Sequence, residues 1–331
     1  RLVHSVRQAV HPQPSVLQST LPKGTMAAKT TSCFTFLKEA LILPTLNPKL
    51  FTPLLLLFAA AAFLDDIVSF VFVQPLADVV AGHVSPVNNT DLSSAEYAEL
   101  MEMGRPLLQD GMKLILIAVS KVMVALAVGF VKKILFLFAA STTYSGYRYS
   151  LAELLRELVK GRISLKGPSI TIAVIDALDF ASAVLAALIP APALMGGLSG
   201  VLSVKGLVYL IALLTSLYFT AVALVGVAAS VVDRRCRGVG ALRQAWRLVT
   251  LVRRKEGLLL VLVAHFVPTV VAPLYRVALV YAKTSMALCF CSLAVHAFLS
   301  CALQLFSLTA ATVYYYQAMQ SKEVIDALWL C

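Results

Sequence analysis

Two carboxylates, Asp65 and Asp66, stand side by side inside the first long apolar run of the chain, "FAAAAFLDDIVSFVFVQP". Lys121, Asp176, Asp179, His265 and His296 also fall within apolar runs. An ionisable side chain among apolar residues must find a partner, a proton or water, so such residues mark helix pairing or a pathway for ions or protons. Asp176 and Asp179 are three apart and share a helix face. Adjacent helical residues point about 100° apart, so Asp65 and Asp66 must serve different partners. At about 1.5 Å per residue, Lys121 comes within side-chain reach of Asp65 and of Asp179. The expectation is one polar centre of Asp65 or Asp66 with Lys121, Asp176 and Asp179. It would act either as ion pairs that fix helix register or as a transport or proton pathway.

The elements that would position these residues are membrane helices. Hydrophobic residues make up 60% of the 331 and charged residues 14%, against about 25% charged in a soluble domain. That excess of apolar residues excludes a soluble globular domain and disorder. Six runs, near 50–74, 112–140, 169–189, 206–232, 257–281 and 286–316, are long enough to cross a bilayer. The fold class expected is all-α, a polytopic helical membrane protein with six transmembrane helices plus cytoplasmic interfacial amphipathic helices. Pro268 and Pro273 should kink the fifth run, and Tyr314, Tyr315 and Tyr316 read as an interfacial anchor closing the sixth.

Charge sets the orientation. Loop 77–111 has six acids and one base and carries the sequon Asn88-Asn89-Thr90, so Asn88 is a candidate glycosylation site on the luminal or outer side. Loops 143–168 and 233–256 carry five and eight bases against two acids each. Basic loops stay in the cytoplasm, and with six spans both termini do too. The membrane would be an endomembrane or the plasma membrane.

Both basic loops hold amphipathic helices. "SLAELLRELVKGR" opens with Ser150 and Glu153 in capping-box spacing. "ALRQAWRLVTLVRR", 241–254, carries Leu242, Ala245, Trp246, Val249 and Val252 on one stripe, with Arg243, Arg247 and Arg254 opposite. Arg243, Arg247, Arg254 and Trp246 suit the headgroup layer of an anionic cytoplasmic leaflet. Packing on the cytoplasmic ends of the spans is the other reading. Membrane-protein partners are compatible with both. Neither loop has the form of a nucleic-acid module.

Residues 1–34 read as a leader. Residues 1–25 lack an apolar core, and "MAAKTTSC" from Met26 resembles a natural start. An organelle transit peptide is the alternative. The six-helix domain is expected over 35–325, with a short tail at 326–331. "FLKEALIL" after Thr35 makes an interfacial helix that Pro44 and Pro48 should break. The six cysteines have no CxxC spacing and read as small buried hydrophobes. His265 and His296 are isolated on apolar helices, so no metal or cofactor is expected. No GxSxG, Walker A or GxGxxG motif is present, which favours a non-enzymatic protein.

"FAASTTYSGY", the basic helix after it, "ALRQAWRLV" and the ending "VYYYQAMQSKEVID" resemble a plant family of six-span integral membrane proteins of unknown function. The resemblance covers roughly 35–325. It implies a helical integral membrane protein and no catalytic residues.

Overall fold

The computed structural model describes residues 34–76, 96–160, 165–188, 204–233 and 236–330. Among these the chain is all-helical, without strands. The helices are α1 Thr35–Leu46, α2 Pro48–Val68, α3 Glu96–Tyr144, α4 Leu151–Val159, α5 Lys166–Leu188, α6 Val204–Val232, α7 Val239–Arg247, α8 Arg254–Ala282 and α9 Met286–Leu330. Wider π turns follow α2 at Ser69–Val73 and α7 at Leu248–Val252.

Five segments are long and apolar enough to cross a membrane: Pro48–Leu76, Met112–Tyr144, Leu214–Val232, Arg254–Ala282 and Met286–Ser321. The protein is therefore a polytopic helical membrane protein. The remaining expected run, 169–189, lies on α5, whose side chains from 182 onward are outside the described residues. The sequon at Asn88 also lies outside them.

Local chemistry explains the helix ends. α1 runs through Pro44 and stops at Asn47, whose φ of −137° and ψ of 66° leave helical space. Pro48 then opens α2, where its missing N–H costs nothing. The Asn47 side chain donates to the Tyr149 carbonyl at 2.9 Å. α4 starts with the expected capping box: the Ser150 N–H donates to Glu153 Oε2 at 2.8 Å, and the Glu153 N–H donates to Ser150 Oγ at 3.3 Å. α7 starts at Gly238, whose φ of +54° suits glycine. The Gly238 N–H donates to Thr171 Oγ1 at 2.9 Å, tying the start of α7 to α5.

The described helices form two compact units. Among the described residues, unit one holds those up to Leu55, those within Lys133–Val270 and those from Ala302. Its core includes Phe36, Leu54, Phe136, Leu154, Ile172, Leu248 and Tyr314. Small residues let helices approach here, as the sequence spacing of Gly226 and Ser230 suggests. A Cβ on Gly226 would lie 3.6 Å from the Leu242 backbone, and one on Gly167 would lie 3.4 Å from the Ser230 carbonyl. Unit two holds Leu56–Lys132 and Val271–Cys301. Its centre is Ala278, Cys289 and Leu293, with Phe63, Phe70 and Tyr275 packed around them.

Two expectations about the surface are corrected. α1 does not lie free in the interface: Phe36, Ala40 and Leu43 are buried in unit one. Two of the three tyrosines ending the last span are not a lipid-facing anchor, while Tyr316 is half-buried. Tyr314 and Tyr315 are fully buried, because their hydroxyls have protein partners that spare them the headgroup layer.

Candidate functional site

α7 and the π turn after it make one two-sided element. Ala241, Leu242, Ala245, Leu248 and Val249 are buried. Arg243 and Arg247 are exposed, Trp246 is 51% exposed and Leu251 is 66% exposed. The inner face is fixed by hydrogen bonds as well as packing. Tyr314 Oη donates to the Leu248 carbonyl at 3.1 Å, and Gln244 Nε2 donates to Tyr315 Oη at 3.3 Å. Trp246 stands edge-on to Tyr218, with ring centres 4.9 Å apart. Its other side is exposed. α4 repeats the arrangement with less charge: Leu154 is buried, while Leu155, Arg156 and Val159 are exposed.

The expected single helix over 241–254 ends early. Arg253, with φ of −132° and ψ of 66°, breaks it, and Arg254 belongs to the first turn of α8. The break turns Arg253 inward. Its Nη1 donates to Glu256 Oε2 at 2.7 Å and to Gln317 Oε1 at 3.0 Å, and its Nε donates to Ser321 Oγ at 3.1 Å. Gln317 Nε2 in turn donates to Glu39 Oε2 on α1 at 2.8 Å. Burial pushes the Glu39 carboxyl above its usual range, partly offset by Gln317 and Arg253. Beside this network Tyr144 stacks on Tyr316 at 4.5 Å, and Tyr316 Oη lies 3.0 Å from Ser141 Oγ. This polar knot was not legible as a site. The signals were the i,i+3 spacing of Arg253 and Glu256 and the glutamine that follows the three tyrosines.

Several of the residues expected in the polar centre are paired. In unit two, Lys121 Nζ lies 3.5 Å from Asp65 Oδ2 and also hydrogen-bonds Ser69 Oγ. Asp66 Oδ2 lies 2.8 Å from His296 Nδ1, so His296 is not isolated. In unit one, Asp176 Oδ1 accepts from Lys133 Nζ at 2.6 Å, not from Lys121. Lys133 falls in the same apolar run as Lys121 and was not singled out from the sequence. Asp179 is exposed on α5, within electrostatic reach of Lys133 and Asp176. His265 Nε2 lies 3.2 Å from the Leu217 carbonyl. No group of three potential metal ligands occurs among the described residues.

No family model, curated protein or solved structure matches the chain.

Proposed function

We propose that this membrane protein is non-enzymatic and organises lipid or partner proteins at the cytoplasmic face. In this reading six spans place both termini in the cytoplasm, in an endomembrane or the plasma membrane. Anionic headgroups are gathered by α7 with Arg254. The observation that carries the reading is the two-sidedness of α7. Its apolar stripe is already buried in unit one, yet Arg243, Trp246, Arg247 and Leu251 remain outside. A helix attached to membrane spans and exposing arginine, tryptophan and leucine together suits the headgroup layer, where each base gains about 1 kcal/mol near anionic lipid. The resemblance to plant six-span proteins is compatible with this reading. Pairing of Asp65, Asp66 and Asp176 with bases supports a structural use of the buried charge over a conducting one.

The test is lipid retention. The full chain, purified in nanodiscs of mixed zwitterionic and anionic lipid, is compared with Arg243→Gln/Arg247→Gln/Arg254→Gln by mass spectrometry of co-purifying lipid. The triple variant should melt at the same temperature, since exposed substitutions cost about 0.5 kcal/mol or less each, and should lose several-fold in anionic lipid enrichment. Equal enrichment in both proteins would sink the proposal.

A further inference from the structure

Asp65 and Asp66 lie within one helical turn before the π turn Ser69–Val73, and such turns often accompany functional positions in helices. Pointing apart, the two carboxylates meet different bases. Asp65 is 45% exposed and pairs with Lys121 of α3 at 3.5 Å. Asp66 is 15% exposed and pairs with His296 of α9 at 2.8 Å, the imidazole itself being 18% exposed. The Tyr275 ring of α8 lies 5.7 Å from the imidazole. All these residues belong to unit two.

The two pairs differ in what protons do to them. A carboxylate paired with an ammonium contains no group whose ordinary titration lies near neutrality. Imidazole is the side chain whose ordinary titration lies near neutrality. When His296 carries its proton, two carboxylates face two cations and the cluster is neutral. When it does not, one negative charge is left over inside a membrane span, where uncompensated charge is disfavoured.

We propose that Asp66 and His296 form a proton-binding site. The bound proton latches the first span to the last within unit two, and its release loosens them. Other ionisable groups surround the site. Asp65 and Lys121 act on it electrostatically. Tyr275 and Cys301 sense its carboxylate, with Cys289 beside Tyr275 and Lys132 beside Cys301. The proposal stands apart from the lipid reading and survives its failure.

The experiment is hydrogen exchange by mass spectrometry on the full chain in nanodiscs, from about pH 6 to about pH 9, corrected for intrinsic exchange. Peptides covering 56–76 and 286–301 should lose about tenfold in protection as pH rises, the equivalent of one unit of linked proton release. His296→Gln keeps a hydrogen-bonding group but cannot titrate, and should flatten the dependence. His265→Gln should leave it intact. A wild-type profile without pH dependence overturns the proposal, as does an unchanged slope in His296→Gln. Should His296→Gln fail to insert, nitrogen NMR of the wild-type imidazoles decides. A resonance that titrates and shifts with Asp66→Asn supports the site, and its absence overturns it.

Discussion

Arg253 and Arg254 are neighbours in the chain and receive opposite treatment. Arg253 is turned inward, with its side chain 19% exposed and bonded to Glu256, Gln317 and Ser321. Arg254 faces out, and its Nε donates to the Thr250 carbonyl at 2.6 Å. Composition counts the two alike, as bases of one cytoplasmic loop. The backbone break at Arg253 separates them, and it assigns one arginine to holding helices together and the other to the surface. Basic residues near span ends are therefore not one population. Some report topology and lipid contact, and others close internal networks.

The comparison can be broken most directly at Arg253. Arg253→Ala leaves buried Glu256 without its cation and Gln317 without a donor. Losing one partner of a buried pair costs about 3–5 kcal/mol, so the melting temperature in detergent should fall sharply. Arg243→Ala should barely move it. Equal effects at the two positions would erase the distinction.

A smaller loss tests the break itself. Gly257 opens α8 against the π turn, where a Cβ would lie 2.9 Å from Val249 Cγ1 and 3.0 Å from the Val249 carbonyl. Gly257→Ala must push the two segments apart, at about 1–3 kcal/mol. The same substitution at Gly240 meets nothing within 4 Å and should be neutral or slightly stabilising. A melting comparison of the two variants checks this.

The smallest effect concerns pH. Burial raises the Glu39 carboxyl in the folded protein above its ordinary value of 4.5, so folding takes up a proton there. The stability linked to Glu39 is present in full below that ordinary value and is lost as pH rises through the raised one. Glu153 has the opposite sign. Hydrogen bonds from Ser150 lower its carboxyl, so its contribution is present above 4.5 and fades as pH falls through the lowered value. In Glu39→Gln, melting temperature measured from acid to neutral pH should decline less steeply than in the wild type.

Hydropathy made the membrane class and the positions of five spans legible, because each crossing needs its own uninterrupted apolar run. The capping box at Ser150 was legible because both partners lie three residues apart. Partnership across the chain was not. His296 lies 230 residues from Asp66, and no spacing rule joins them. Counting depth along ideal helices matched Lys121 to acids by level alone, and the pair it makes is with Asp65. The three tyrosines misled for another reason. An aromatic run at a span end has the same composition whether it meets headgroups or fills a core. The outcome turned on hydroxyl acceptors such as the Leu248 carbonyl, supplied by a distant helix.

The π turn Leu248–Val252 also bears on chain length. A π turn carries more residues per hydrogen-bonded loop than an α turn. Deleting one residue there can be absorbed by tightening to ordinary α pitch, with no loop needed to take up the slack. Arg253 and Arg254 would then keep their facing, because the extra residue is housed within the π turn itself. A one-residue deletion at this point is thus one the segment can take without exchanging its inward arginine for its outward one, whereas the same deletion inside α7 would rotate everything after it by about 100°.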